Sequence, residues 1–243
     1  MEASVKRTHS LVFPTPVLYW FFAGLVLSYL VVAMLLAPAG VHLLPLDMVV
    51  SLLRGNMGFF ILLFGLPCGI YLIGWRASDL FVWMRAPHSL SLDDQGLRAG
   101  AVHIAWRDVE SVLEIQNHDR IVLRHRGGSY KLRLNLWSDA EALHQSVMEH
   151  VVPELLERVH QQVADGQPVR FGPLTLDDAG LTHKGRRMRW EEIESIRVQD
   201  EFDTGVSTRE LVIVAQGKPR KIDEAKIPNA PVLLAYLSDR LAG

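Results

Sequence analysis

The sequence predicts an α+β protein in which a transmembrane hairpin of two helices precedes two tandem, small antiparallel β domains, each closed by a C-terminal helix. Two uncharged apolar runs, each about twenty residues long, predict the hairpin. The phrase LSLDDQGLRAGAVHIAW at 90–106 returns as LTLDDAGLTHKGRRMRW at 174–190, which predicts duplicated structure. Alternating runs separated by turn residues predict that each copy is built from short antiparallel strands.

Charged residues are distributed unevenly along the 243 residues. Residues 1–88 carry five Lys/Arg and three Asp/Glu, whereas residues 89–243 carry twenty and twenty-four, so the net charges are +2 and −4. The mildly acidic second part disfavours nucleic acid as a partner, because such binding needs many cations against the phosphates. The single cysteine, Cys68, excludes an intramolecular disulfide.

The two apolar runs predict transmembrane helices at 17–37 and 57–75. At about 1.5 Å per residue, a run of this length matches the hydrocarbon thickness of a bilayer. A cleaved signal peptide is the alternative for the first run, but the apolar region of a signal peptide usually spans only about 7–15 residues. We therefore expect residues 1–88 to form an N-terminal tail and an uncleaved two-helix anchor.

Flanking cations predict the orientation of this anchor. Lys6 and Arg7 precede the first run and Arg76 and Arg85 follow the second, whereas the loop between them offers only Arg54. The positive-inside rule then predicts that both termini are cytoplasmic.

The repeated phrase indicates which residues keep the turns and the core of each copy. Nine of 23 positions are identical when 90–112 is aligned with 174–196 without gaps. Asp-Asp-x-Gly is turn chemistry, in which Asp bonds the nearby backbone and Gly96 or Gly180 supplies a positive φ. Trp106 and Trp190 end equivalent strands, so we expect both indoles to be buried in equivalent positions.

The domain boundaries follow from the helices that close each copy. Ser138–Glu141 (SDAE) fits a capping box and predicts a helix that runs to about Val163, with Pro153 kinking or dividing it. A second helix is predicted near the C-terminus. The first domain is therefore assigned to 89–164 and the second to 169–243.

Strands followed by a C-terminal helix, a D-x-G-[LI] turn and then W-x-[DE]-[IV] resemble the bacterial pleckstrin-homology-like (bPH) families, whose members often follow two membrane helices. The ending Ile227-Pro228-Asn229 is similar to the close of uncharacterised PH-like families. The resemblance covers about 89–243 and implies two PH-like domains behind a two-helix anchor in a bacterial inner membrane. It implies no activity, since fold alone does not determine function.

Two groups of cations are candidate sites for an anionic lipid, because cations near an anionic leaflet gain about 1 kcal/mol each. The alternative for both groups is a solvated surface. The first group lies in a predicted hairpin of the second copy and comprises Lys184, Arg186, Arg187 and Arg189. The second lies on paired strands of the first copy and comprises Arg124, Arg126, Lys131 and Arg133.

Recognisable catalytic and metal-binding motifs are missing from the sequence. His150 and Glu154 stand one turn apart on a helix but do not have H-E-x-x-H spacing, and phosphate-binding glycine motifs are absent. We therefore expect no catalytic residues, no metal and no cofactor.

The sequence thus predicts a non-enzymatic membrane protein that presents PH-like domains to the cytoplasm. Its expected partners are an anionic membrane surface, a protein or a second copy of the chain. Two alternatives remain at this point: an oligomeric transport or regulatory subunit of a membrane complex, and an enzyme whose site is dispersed through the sequence.

Overall fold

The computed structural model describes residues 6–45, 47–48, 50–51, 56–115, 119–203 and 206–242. Two apolar helices near the N-terminus are followed by antiparallel sheets, so the α+β class predicted from the sequence is confirmed. The chain divides into two compact units, one formed by Met1–Ser10 with His88–Gly243 and the other by Leu11–Pro87.

The unit Leu11–Pro87 is helical. Its longer helices in the described residues include α1 (Thr15–Leu36), α2 (Asn56–Tyr71, continued by a π-helical turn at Leu72–Arg76) and α3 (Ser78–Arg85). Two segments, Thr15–Ala39 and Gly58–Arg76, are long and apolar enough to cross a membrane. Only 22% and 17% of their most apolar stretches are buried, whereas a core helix of a soluble protein would be mostly buried.

Glycines allow α1 and α2 to approach each other closely. A Cβ atom on Gly24 would lie 2.9 Å from the carbonyl oxygen of Gly69, and one on Gly65 would lie 2.5 Å from Val31. Small residues at such crossings are typical of helices that associate in lipid, where packing rather than burial from water holds them together.

The other unit contains two sheet pairs, each followed by a helix. The N-terminal sheet pair comprises β1 (Arg7–Ser10), β2 (Ser89–Asp93), β3 (Gly96–Ala99) and β4 (Val102–Ala105) in one sheet, with β5 (Val109–Ile115), β6 (Arg120–His125) and β7 (Gly128–Arg133) in the other. Helix α4 (Ala140–Ala164) follows it.

The C-terminal sheet pair has the same order of elements. It comprises β8 (Val169–Phe171), β9 (Leu174–Asp177), β10 (Gly180–His183) and β11 (Arg186–Arg189) in one sheet, with β12 (Ile193–Asp203), β13 (Val206–Ala215) and β14 (Lys218–Asp223) in the other. Helix α5 (Ala230–Ala242) follows it. Neighbouring strands are consecutive in each sheet, and none of the four sheets closes on itself within the described residues.

Strand β1 lies before the apolar helices in sequence and was not predicted. It pairs with β2 so that Arg7 stands opposite Leu92. Its last residue, Ser10, exchanges backbone and side-chain hydrogen bonds with Ser138, whose hydroxyl oxygen accepts from the Ser10 N–H at 3.0 Å. The Ser138 hydroxyl is thus committed to β1, and the N-cap residue of α4, Asp139, makes no side-chain cap hydrogen bond, so the predicted capping box is wrong.

Helix α4 packs one apolar stripe on the N-terminal sheet pair. Its buried residues recur every four positions, at Leu143, Val147, Val151, Leu155 and Val159. Pro153 lies between them on the exposed side, and a single helix continues through it.

Candidate anion-binding site

The repeated Asp-Asp-x-Gly segment forms the same turn in both sheet pairs. Oδ1 of Asp93 accepts hydrogen bonds from the backbone N–H groups of Gln95 and Gly96, each at 3.0 Å. Asp177 accepts in the same way from Ala179 at 2.9 Å and Gly180 at 3.0 Å. The aspartates therefore hold the turns, as their sequence chemistry predicts.

The glycine of each turn is required mainly by the close approach of another strand. A Cβ atom on Gly96 would lie 2.1 Å from the carbonyl oxygen of Ile104, and one on Gly180 would lie 2.1 Å from that of Met188. Gly180 has φ of 155°, at the edge of the region that favours glycine, whereas Gly96 is not among the positive-φ glycines. A positive φ is thus not the shared reason for glycine at this position.

The two repeated tryptophans close these turns but are not equally buried. The indole N–H of Trp106 donates to the carbonyl oxygen of Asp93, and that of Trp190 to the carbonyl oxygen of Asp178, both at 2.8 Å. Trp106 is 3% exposed, whereas Trp190 is half-buried. The expectation of equal burial is therefore wrong for Trp190.

The ring of Trp106 is covered by helix α4. It stacks on His150 with 5.2 Å between ring centroids. Trp190 has looser neighbours from α5, with the Tyr236 ring centroid at 6.5 Å and the Arg240 guanidinium carbon at 5.9 Å.

The predicted basic hairpin is the connection between β10 and β11. Lys184 and Gly185 form its two-residue turn, and both have positive φ, 50° and 75°, as a type I′ turn requires. His183 and Arg186 face each other across the strands beside the turn. Lys184 thus places a long cation at the tip of the hairpin, in a backbone conformation that is uncommon for lysine.

The four predicted cations of this hairpin do not act together. Arg187 donates two hydrogen bonds to the Asp177 carboxylate, at 2.7 and 2.6 Å. Partial burial would raise the pKa of Asp177, but the hydrogen bond from Arg187 and those from the backbone of the turn outweigh it and lower the pKa. Arg189 lies two residues further along β11, on the same face as Arg187. Lys184 and Arg186 are therefore the cations that the hairpin tip presents.

A second hairpin supplies cations that sequence reasoning missed. The turn between β13 and β14, Gln216–Gly217, also has positive φ at both residues, 52° and 70°. Together the two hairpins line a cleft of about 520 Å³, within the roughly 300–1,000 Å³ range of ligand pockets. We call this the basic cleft; its lining residues are His183, Lys184, Arg186, Lys218, Pro219, Arg220 and Lys221.

Among the described residues, most cations of the basic cleft have no carboxylate in ion-pair distance. Lys221 is the exception, because its Nζ lies 2.9 Å from Glu201 and 3.2 Å from Glu210. Within the part of the chain that the structure describes, no ion pair involves the remaining four, which are Lys184, Arg186, Lys218 and Arg220.

The positive charge of the cleft affects the pKa of His183, which lies in its lining. Burial lowers the pKa of His183, and the positive charges of Lys184 and Arg220 lower it further. The imidazole is therefore neutral near pH 7, and the unpaired charge of the cleft is carried by the lysines and arginines. Concentrated positive charge in a concave site attracts anions.

The second predicted basic group lies on the strands β6 and β7 and in the turn between them. Arg124 on β6 and Lys131 on β7 are exposed, and strand alternation places Arg133 on the same side of the sheet as Lys131. Arg126 lies in the following turn, where its guanidinium is 3.6 Å from Asp108. The structure thus brings three of the four residues to one face of the sheet, where Arg124 and Lys131 are exposed and Arg133 is half-buried.

Acidic and histidine side chains of the described residues do not form a metal centre. No group of three or more His, Cys, Asp or Glu side chains in that part of the chain could hold a metal ion. The helical histidines named in the sequence instead have separate neighbours, with His150 3.9 Å from Asp94 and His160 3.7 Å from Asp239.

Comparison with known proteins identifies a family for most of the chain. No curated protein and no solved structure matches the chain. A family model matches residues 99–242, from the end of β3 to α5, which is more than half of the chain. The chain therefore belongs to a family of unknown function, DUF6585.

Proposed function

We propose that this protein is a membrane-anchored, non-enzymatic binding protein whose two PH-like domains face the cytoplasm of a bacterium. In this proposal, the basic cleft of the C-terminal sheet pair binds the anionic headgroups of the inner leaflet. The unpaired cations of the cleft are the observation that carries the proposal.

The pairing of β1 with β2 supports a two-span anchor. β1 ends at Ser10, shortly before α1 begins at Thr15, and β2 begins at Ser89, shortly after α3 ends at Arg85. Adjacent strands must lie on the same side of a membrane, so a chain that leaves β1 has to return before it enters β2. An even number of spans satisfies this requirement, and the cation bias around the apolar runs favours the cytoplasmic side.

The order of elements supports the PH-like assignment. Each sheet pair has four strands in one sheet, three in the other and a helix after the last strand. The bPH resemblance implies several strands followed by a C-terminal helix, and both sheet pairs have this order.

The charge of the basic cleft supports an anionic ligand. Phosphate oxygens accept charge-assisted hydrogen bonds from Arg and Lys, and Arg can donate two of them in a plane. Each cation near an anionic leaflet contributes about 1 kcal/mol, so four unpaired ones give an attraction that salt weakens. Tethering to the same membrane raises the effective concentration of the cleft at the lipid surface.

Hydrogen–deuterium exchange of the full chain in nanodiscs tests this proposal. Nanodiscs of neutral lipid are compared with nanodiscs that contain anionic lipid, across a salt series. We expect the β10–β11 and β13–β14 hairpins to exchange more slowly with anionic lipid, and we expect added salt to remove this protection. Exchange that is the same in both nanodiscs contradicts lipid binding. Protection that appears only when an acidic protein is added would instead assign the cleft to a protein partner.

A further inference from the structure

The N-cap residue of the last helix clamps the edge of a strand in the other sheet pair. Asn229 has φ of 58°, and its backbone N–H donates to the carbonyl oxygen of Val112 at 2.8 Å. Its side-chain Oδ1 accepts from the Val112 N–H at 2.6 Å. Both backbone groups of one residue in β5 are thus satisfied by one residue of the C-terminal sheet pair.

The clamp supplies hydrogen-bond partners for backbone groups that an edge strand leaves unpaired. β5 is the first strand in its sheet, so alternate residues direct N–H and C=O groups away from the sheet. Val112 is one such residue, just beyond the irregularity in pairing at Val109/Ser111, and it is fully buried. A buried backbone group without a partner would cost about 1–3 kcal/mol, which the clamp avoids.

An equivalent edge exists in the C-terminal sheet pair. β12 is also the first strand in its sheet, with the same irregularity in pairing at Ile193/Ser195. Ile196 stands opposite Ile213 as Val112 stands opposite Leu123, so its N–H and C=O also point outward. Within the described residues, no backbone hydrogen bond from outside its sheet reaches Ile196, which is only half-buried.

An equivalent of the clamping residue exists in the N-terminal sheet pair. Asp139 is the N-cap residue of α4 and has φ of 52°. Its carbonyl oxygen accepts from Leu143 at 2.9 Å, just as the carbonyl oxygen of Asn229 accepts from Leu233 at 2.9 Å. Asp139 is exposed, and its carboxylate can accept the hydrogen bond that the Asn229 amide oxygen accepts.

We propose that Asp139 of one chain clamps Ile196 of a second copy, so that chains associate head to tail. The contact repeats the hydrogen bonds of the Asn229–Val112 clamp between molecules. It joins two different surfaces, so each chain keeps one surface of each kind for a further neighbour.

The association is expected to be weaker than the joint within one chain. Within one chain, α5 packs against α4, which has 25 residues. Between chains, α4 of one copy would take the place of α5, and its partner would be α5 of the second copy, which has only 13 residues. The contact between helices therefore cannot be repeated in full. Anchoring in a shared membrane compensates by raising the effective concentration of the two surfaces. We therefore expect reversible assembly in the membrane.

Cross-linking of single-cysteine variants of the full chain in proteoliposomes tests the proposal. In a Cys68→Ser background, Glu141→Cys marks the clamping surface and Ser195→Cys marks the β12 edge. A short bismaleimide should link chains when the two variants are mixed and should not do so when either is present alone. Gln161→Cys, about 30 Å away along α4, should not cross-link to Ser195→Cys. Cross-links in either single variant, or none above this control in the mixture, would overturn the proposal.

Substitution of Asp139 tests whether association depends on its hydrogen-bond acceptor rather than only on the chains sharing a membrane. Asp139→Gly keeps the positive φ but removes the acceptor, so self-association measured by energy transfer between labelled chains should weaken about fivefold. Asp139→Asn reproduces the residue of the internal clamp and should retain association. Equal association of the glycine variant and the unaltered chain would contradict the proposed contact.

Discussion

The two sheet pairs share an order of strands but differ in the chemistry at the ends of equivalent hairpins. Lys184 and Arg186 of the C-terminal sheet pair stand where the N-terminal sheet pair has Gly100 and Val102. Gly100 has φ of 60°, close to the 50° of Lys184, so the same turn position carries a cation in one sheet pair and no side chain in the other.

The second hairpin of each sheet pair shows the same contrast. Lys218 begins β14 opposite Ala215, as Gly128 begins β7 opposite His125. Two residues later, Arg220 corresponds to Tyr130. The shared residues of the two sheet pairs therefore maintain turns, whereas Lys184, Arg186, Lys218 and Arg220 of the basic cleft all differ from their equivalents in the N-terminal sheet pair. A charged cleft of this kind can be formed in one copy of such a fold without changing its topology.

The largest expected difference between the sheet pairs concerns the repeated tryptophans. Trp106→Ala should lower the free energy of unfolding by about 3–5 kcal/mol, because a buried indole and its contacts are lost. Trp190→Ala should cost about 2 kcal/mol, since this ring is half-buried. Denaturant unfolding of the full chain in detergent measures both values. Equal losses would show that the two rings are equally buried in solution.

Alanine at the turn glycines should instead have the same effect in both sheet pairs. Gly96→Ala and Gly180→Ala each bring a Cβ atom against a backbone carbonyl that cannot move aside, at a cost of about 3 kcal/mol. Gly166→Ala is a suitable control, because a Cβ there meets no atom within 4 Å, although its φ of 72° retains backbone strain. Thermal unfolding should show that Gly96→Ala and Gly180→Ala lower the midpoint temperature by similar amounts, and by more than Gly166→Ala does.

Loss of the clamp between Asn229 and Val112 should lower the free energy of unfolding by less than loss of the Trp106 ring does. Asn229→Gly keeps the positive φ but leaves the buried Val112 N–H without an acceptor, which should cost about 1–3 kcal/mol. Asn229→Asp keeps the acceptor and should cost less. Exchange of the Val112 amide with deuterium should accelerate only in the glycine variant; unchanged exchange in both would show that the hydrogen bond is not formed.

Two histidines should give the sheet pairs opposite pH dependences. A hydrogen bond at 2.7 Å to Glu114 raises the pKa of His144, against the opposing effect of burial. The stability that it contributes is present below the unfolded pKa of about 6.5 and is lost as the pH rises through the higher folded pKa. Burial, with Lys184 and Arg220, lowers the pKa of His183, so its contribution is present above about pH 6.5 and is lost as the pH falls.

Thermal unfolding between about pH 5 and 8 distinguishes these contributions. Relative to the unaltered chain, His144→Gln should lose most stability at acidic pH, and the difference should shrink as the pH rises. The stability of His183→Gln relative to the unaltered chain should be highest at acidic pH, because the substitution removes a histidine whose protonation destabilises the folded state. Parallel curves for the two variants would contradict the assigned environments.

Local chemistry allowed the turns and the basic hairpin to be predicted from the sequence. Asp93 and Asp177 bond the turn backbone because their side chains reach it within three residues, a relation that sequence spacing alone determines. The cations of the second hairpin were missed because Lys218 lies more than 30 residues after Lys184, and only the fold brings their turns together.

Features that depend on distant partners were beyond sequence reasoning. β1 has four residues, Arg7–Ser10, and its partner strand begins almost 80 residues later, beyond both apolar helices. The identity of the motif around Trp190 predicted its turn correctly but not its exposure, since exposure depends on the helix that covers the ring. Trp106 has a stacked neighbour from α4, whereas α5 gives Trp190 only looser contacts.

The most direct test of the proposed function compares two double variants with the same change in charge. Arg186→Gln/Arg220→Gln removes two cations from the basic cleft, and Arg124→Gln/Lys131→Gln removes two from the open face of the N-terminal sheet pair. Protection of the β10–β11 and β13–β14 hairpins by anionic nanodiscs, measured by hydrogen–deuterium exchange of the full chain, should disappear in the first variant and persist in the second. Equal protection in the two variants, or its loss only in the second, would contradict the assignment of anion binding to the basic cleft.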